Sequence, residues 1–206
     1  MQREGWRFPP ERRHVLMDED RRRWLGPERI LSEAAVQPGE TVVDLGAGTG
    51  FWTEPLSEMV ASEGKVYAAD IEPVMLEDLQ TLIRDRGLEN VEIVQSDELS
   101  VPLDSGIADL VVLGFVLHEP AEPDLFLQEV IRLLKPEGRL LVAEWQQRPT
   151  EGGPPLEYRI SAEEAHALLG AAGFSVEEMV SPTEDIYLLL ARPFRPNDPE
   201  MTAPTV

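Results

Sequence analysis

The chain of 206 residues contains no cysteine, and that absence removes disulfides, thiolate metal sites and thiol nucleophiles together. Histidine is nearly as scarce. His14, His118 and His166 stand far apart in sequence, a poor set for a zinc site, and no metal ion is expected. Basic residues number 18 against 39 acidic ones, for a net charge of −21, so a nucleic-acid backbone or an anionic lipid surface would be repelled. Long hydrophobic runs are missing as well: the longest, residues 110–117, holds eight residues including Gly114, too few to cross a bilayer. Residues 1–24 mix arginine with acid around no apolar centre, which argues against a secretory signal. The expectation is a cytoplasmic protein, monomer or homodimer, whose partners include neither membrane nor nucleic acid.

What is present suits one globular domain with a small appendage. Hydrophobic residues make up 42% of the chain, and the 15 glycines and 18 prolines are scattered without a period. The appendage is residues 1–35, an arginine-rich helical arm or lid. Its first 30 residues hold eight arginines against six acids, a local +2 that leaves −23 on the remainder. Such an arm either docks on the acidic body or is a solvated lead-in helix.

From Thr41 onward, β-branched runs alternate with amphipathic stretches, the sequence form of repeated βαβ units. Strands are expected at residues 41–45, 65–70, 91–95, 108–114 and 139–145, with helices between them near residues 52–61, 73–87 and 123–134. The near-continuous apolar run at 108–114 suits a central strand covered on both faces. Lys135, Pro136, Glu137 and Gly138 read as a turn into the fifth strand. Residues 146–158 carry Gly152, Gly153, Pro154 and Pro155 and read as an irregular functional loop. Ser161 and Glu164 resemble a capping box for a helix reaching about Leu169, with Gly173 ending that element. Residues 174–180 and 186–191 form an antiparallel hairpin, and 193–206 is expected to be a disordered tail.

The strongest chemical signal is residues 42–50, VVDLGAGTG. Gly46, Gly48 and Gly50 permit positive φ and let backbone approach a ligand at the strand end, where open α/β sheets place their ligands. A nicotinamide fingerprint wants a further glycine three positions after the second, and that position is Phe51. Asp70 closes the second strand 20 residues past Gly50 and can accept from both hydroxyls of a ribose, or cap the helix opening at Pro73. Asp97 closes the third strand, placed for an exocyclic amine or as a turn acid. Gly turn, Asp and Asp on one sheet edge select an adenosine-containing ligand without requiring phosphate.

With these residues the sequence resembles the class I S-adenosylmethionine-dependent methyltransferases over about residues 36–192. Asp44 to Gly50 matches that family's cofactor motif, Asp70 its ribose acid, Ser96, Asp97 and Glu98 with Val101, Pro102 and Leu103 its adenine segment, and residues 133–138 its turn before strand five. Within the superfamily the segment is similar to the branch holding ubiquinone/menaquinone C-methyltransferases and arsenite methyltransferases. Arsenite chemistry there uses thiolates, which this chain lacks. The expected fold is α/β, a Rossmann-like doubly wound seven-stranded sheet, mostly parallel with a C-terminal antiparallel hairpin, plus the N-terminal helical arm.

The resemblance implies S-adenosylmethionine as cofactor, held by Asp44, Gly46, Ala47, Gly48, Thr49, Gly50, Asp70, Ile71, Asp97 and Glu98, with Asp44 meeting the methionyl ammonium and Ile71 packing on adenine or ribose. It implies methyl transfer to a small-molecule acceptor by in-line displacement at the sulfonium methyl, with a non-catalytic S-adenosylmethionine-binding partner or regulator as the alternative. Catalytic candidates are His118 after strand four and Glu144 in strand five, a base and a carboxylate positioned for an acceptor. Each also reads as an ordinary loop or strand-end residue. Trp24 and Trp145 are the substrate candidates. Trp6, Phe8 and Trp24, with the loop from Gly152 to Tyr158, are material for a lid over the acceptor pocket, or for staples holding the arm to the body.

Overall fold

The computed structural model describes residues 6–150 and 152–194. Seven strands form one sheet: β1 (Thr41–Leu45), β2 (Lys65–Asp70), β3 (Val91–Gln95), β4 (Ala108–Gly114), β5 (Leu134–Trp145), β6 (Phe174–Val180) and β7 (Ile186–Pro193). Their order is β3-β2-β1-β4-β5-β7-β6. The first five are mutually parallel, and β7 runs antiparallel to both β5 and β6. The expected α/β class, strand count and closing hairpin are all present.

Helices α1 (Glu19–Leu25), α2 (Pro27–Ser32), α3 (Thr53–Val60), α4 (Pro73–Arg86), α5 (Pro123–Leu133) and α6 (Ala162–Ala172) flank the sheet. Pro73 and Pro123 stand at first helical positions, where the missing N–H costs nothing. Ser161 and Glu164 complete the capping box that opens α6.

The two-residue period of the strands divides the core between two faces. Val43, Val111, Leu140 and Val142 pack beneath α5 and α6 with Phe126, Leu127, Val130 and Leu169. Their sequence neighbours Val42, Leu110, Val112 and Leu141 pack on the other face with Leu25, Ile30, Leu31, Leu56 and Val60. Because both faces are covered, β4 reads as an apolar run broken only by Asp109 near its start.

Four local expectations need correction. The span of β5 begins at Leu134, not 139. Leu134 opposes Ala108 while Arg139 opposes Leu110, so residues 135–138 bulge within the strand, a kink that suits Pro136 with its missing N–H. Helix α6 runs to Ala172, three residues past Leu169 and through Gly170, before Gly173 ends it in the left-handed conformation as expected. The loop at 146–158 contains one short 3-10 turn, Leu156–Tyr158. Finally, Pro193 opposes Phe174 in the ladder, and Phe194 N donates to Gly173 O at 2.8 Å, so the hairpin extends past Ala191. The rest of the expected tail, residues 195–206, lies outside the described residues, as do residues 1–5 of the arm.

The arm docks rather than standing in solvent. A 3-10 helix, Pro10–Met17, leads into α1 and α2, and Pro27, Ile30 and Leu31 of α2 are buried against the body. Arg7 pairs with Glu98, Arg13 with Asp78 at 2.7 Å and Arg22 with Glu54 at 2.8 Å. Partly exposed pairs contribute about 0–1 kcal/mol each, whereas fully burying one Leu or Ile side chain contributes about 1.5–3 kcal/mol. The apolar face therefore holds the arm, and the ion pairs set its register.

Candidate functional site

The strand order reverses between β1 and β4, and this switch point opens a crevice at the carboxyl ends of the strands. Gly46 turns the chain out of β1 at φ +80°, a conformation costly for any residue with a Cβ, and an added Cβ would overlap the Val116 side chain. Gly48 N donates to Asp70 Oδ2 at 2.7 Å, and Glu72 N donates to Asp70 Oδ1 at 2.9 Å. Asp70 thus pins the glycine turn to the end of β2. Burial pushes its carboxyl pKa up, and these backbone donors pull it back.

Beside this turn lies a small pocket of about 60 Å³. Leu45, Gly46, Asp70, Ile71, Ser96, Asp97, Glu98, Val116, Glu119, Pro120 and Phe126 line it, and the arm contributes Arg7. The turns themselves carry no basic residue, but the arm brings one. Arg7 pairs with Glu98, which also accepts from Ala121 N at 3.1 Å, while Asp97 bridges to Ser100.

Asp44, at 0% exposure, lies under the same turn. Its Oδ2 accepts from Thr53 Oγ1 at 2.6 Å, and its Oδ1 has no hydrogen-bond partner among the described residues. Burial pushes its pKa to about 7; the Thr53 hydrogen bond lowers it and the nearby Asp70 charge adds to the rise. Not every residue of the glycine motif faces the pocket. Ala47 packs with Ala68, Leu76 and Leu79, and a Cβ on Gly50 would meet Leu82 at 2.6 Å and Leu79 at 2.7 Å. Thr49 opens instead on a second cleft shared with α4 and the arm.

Past β4 the chain bends through Phe115, at φ +66°. A left-handed phenylalanine is strained, and such strain concentrates at functional sites. The bend carries His118 to Glu144 of β5. His118 Nδ1 lies 2.9 Å from Glu144 Oε1 and 3.1 Å from Oε2, and His118 N donates to the same carboxylate at 3.1 Å. Both side chains are almost wholly buried. With the carboxylate accepting, Nδ1 carries a proton, so Nε2 is the ring nitrogen whose proton can be exchanged, basic whenever the ring is neutral. Trp6 stacks on the imidazole with centroids 6.0 Å apart and lies 6.5 Å from Tyr158. Arm, loop and His118 thus meet at one place.

Trp24 and Trp145 stack on each other at 5.6 Å, and Trp145 continues to Phe115 at 5.2 Å. They form a wall behind the bend and do not line the pocket. The sequence reading passed over Glu119 as a site residue, although it was visible next to His118. Glu119 lines the pocket, accepts from Phe8 N at 3.3 Å, and is pushed by burial to a pKa of about 7, against the lowering influence of His118.

The ubiE/COQ5 methyltransferase family model matches residues 15–156 of this chain. The chain belongs to that family. Ubiquinone/menaquinone biosynthesis C-methyltransferase UbiE from Salmonella paratyphi B, and likewise from Salmonella newport, is 35% identical over 163 residues, 79% of this chain. The chain spans 62% of the length of those relatives. A crystal structure of a SAM dependent methyltransferase from Aquifex aeolicus superposes with a TM-score of 0.87 at 34% identity, covering 90% of this chain and 98% of that one. The [4+2]-cyclase SpnF, at 21% identity and TM-score 0.71 over 81% of this chain and 79% of its own, shares the fold.

S-adenosylmethionine is the cofactor that this family implies, and the residues present fit it. The acidic lining of Asp70 and Asp97 suits ribose and adenine donors, Gly46 gives the pocket a wall of bare backbone, and the buried Asp44 oxygen lacks a donor among the described residues. A cationic amine is the complement such an oxygen needs.

Proposed function

We propose that the protein is an S-adenosylmethionine-dependent methyltransferase whose acceptor is a hydroxylated aromatic small molecule; its Salmonella relatives are named for C-methylation in ubiquinone and menaquinone biosynthesis. In this reading the adenosine half lies along Asp70, Ile71, Asp97 and Glu98, and the methionyl ammonium meets Asp44. The observation that carries the acceptor class is the His118–Glu144 pair, buried beneath Trp6, which Tyr158 neighbours in turn, and one residue from the pocket wall. When bound, S-adenosylmethionine supplies an electrophilic sulfonium methyl. Glu144 holds the imidazole in the tautomer with Nδ1 protonated, so Nε2 is oriented as the general base. His118 removes an acceptor hydroxyl proton, and the negative charge left on the ring makes oxygen or the adjacent carbon nucleophilic. Trp6 and Tyr158 supply flat apolar surface for the ring and shield the site from water. Net charge of −21 disfavours a polyanionic acceptor.

The test is release of S-adenosylhomocysteine across a panel of hydroquinones and catechols, each paired with its fully O-methylated ether. Turnover of the free hydroxyl compounds alone is expected, with His118→Asn lowering kcat about 100-fold or more and Glu144→Gln about 10- to 100-fold. Unchanged kcat in both variants would remove the base from the scheme. Tight cofactor binding with no turnover on any acceptor would instead support the non-catalytic reading.

A further inference from the structure

Helix α1 carries three consecutive arginines, and they are treated differently. Arg22 pairs with Glu54 and Glu28, and Arg23 pairs with Asp20. Arg21 turns inward. Its guanidinium lies 4.1 Å above the Phe51 ring and 5.8 Å from Phe115, and Nη1 donates to Leu16 O at 2.6 Å. No carboxylate among the described residues pairs with it. In a chain holding 39 acidic residues, a partly buried arginine without an acidic partner is an unusual placement, because desolvating a cation is costly unless an anion compensates. Burial lowers the pKa of this group to about 10, leaving it cationic at neutral pH, and among the described residues its one hydrogen bond is to Leu16 O.

Its position says which anion fits. Phe51 directly follows Gly50, Phe115 directly follows β4, and Leu16, whose carbonyl Arg21 holds, lies beside Gly48. The guanidinium therefore sits over the β1/β4 crevice near the glycine turn, whereas the pocket lined by Asp70, Ile71 and Asp97 extends toward β2 and β3. A ligand with its nucleoside half in that pocket must lead its other half back across Gly46. There it meets the unpartnered buried oxygen of Asp44 and then the cation of Arg21. One negative and one positive group flanking the turn match an α-amino acid, ammonium to Asp44 and carboxylate to Arg21.

The geometry points to Arg21 as the anchor of the cofactor's methionyl carboxylate, making the first helix of the arm part of the cofactor site. This rests on the S-adenosylmethionine reading above and adds a selection for ligands with an intact amino-acid moiety over truncated thionucleosides. The planar fork takes a carboxylate through two parallel N–H···O bonds while its face stays on Phe51.

Calorimetry of the full chain with S-adenosylhomocysteine and with 5′-methylthioadenosine, which lacks the amino acid, separates the possibilities. The wild type is expected to prefer S-adenosylhomocysteine. Arg21→Gln should weaken S-adenosylhomocysteine by roughly 10- to 100-fold, the range of a lost charge-assisted pair, while 5′-methylthioadenosine stays within about twofold and so certifies the fold. Arg21→Lys should recover part of the loss. Wild-type affinity for S-adenosylhomocysteine that survives Arg21→Gln, or equal losses for both ligands, overturns the anchor and leaves the cofactor assignment standing. Failure of the wild type to bind either ligand overturns both.

Discussion

Acidification from about pH 8 to about pH 5.5 should weaken the binding of S-adenosylhomocysteine, because Asp44 must be ionised to receive the ligand ammonium. Its carboxyl is held at a pKa of about 7 in the unliganded chain, chiefly by burial. If only the ionised form binds, the apparent Kd is multiplied by one plus the ratio of protonated to ionised carboxyl. That factor is close to one at pH 8 and about 30 at pH 5.5, equivalent to about 2 kcal/mol. Calorimetry at four pH values reads it directly, and repeating the titration in buffers of different ionisation enthalpy counts the protons released. Asp44→Asn keeps an acceptor for Thr53 Oγ1 and removes the charge, so its weaker affinity should be nearly flat with pH. Glu119 titrates in the same range, and Glu119→Gln apportions the slope between the two. A wild-type profile that is flat from pH 5.5 to 8, or a slope unchanged in Asp44→Asn, refutes the reasoning. For the unliganded fold the sign is reversed. A carboxyl raised from 3.8 to about 7 on folding binds more protons folded than unfolded in that window, so the stability it contributes is present at low pH and lost as pH rises through 7.

Three substitutions probe the scaffold around the site. Gly46→Ala places a Cβ at φ +80° against Val116; a stability loss of about 1–3 kcal/mol in urea unfolding is expected, with weaker cofactor binding, and an unaltered midpoint and Kd would contradict it. Asp70→Ala strips the acceptor from both Gly48 N and Glu72 N and should cost about 2–4 kcal/mol of stability, checked by the same unfolding curves. Arg159→Ala removes a guanidinium that donates to the carbonyls of Gln146, Arg148, Gly152 and Pro154 and to Thr150 Oγ1. Limited proteolysis should then cut within residues 146–158 faster than in wild type, with activity lost only if that loop shapes the acceptor site.

The parallel core was legible because both faces of its sheet are covered. Residues 110–114 had to be apolar, Asp109 is tolerated near the start of that strand beside Lys135, and the acids at residues 44 and 70 interrupt an apolar pattern only where the strands end. Residues 135–138 were harder, since Pro136 and Gly138 signal a turn whether the turn separates two elements or bulges inside one strand. Among the candidate site residues, Asp44, Gly46 and Asp70 could be read from their strand-end positions. The inward turn of Arg21 could not, because three adjacent arginines look alike until the helix phase is known. Glu119 was hidden for a related reason. Its pKa is raised by burial, and the Phe8 N–H that it accepts comes from more than a hundred residues away in sequence. Trp24 and Trp145 carry the right chemistry for an acceptor wall, but only the docked arm shows that they face each other.

The tryptophans are also distributed in a way that gives the protein an optical signature. Trp24, Trp52 and Trp145 are linked through Phe115 by ring contacts of 5.2 to 5.6 Å. Their indoles are close enough to share excitation, and their emission reports one rigid unit. The fourth, Trp6, stands apart on the arm, stacked on His118. An imidazole against an indole quenches fluorescence, most strongly when protonated. An event that lifts the Trp6 segment from His118 while α1 stays docked should therefore brighten Trp6 alone, and a Trp6→Phe variant supplies the blank. Without labelling, the chain emits a separate signal for the state of its own entrance.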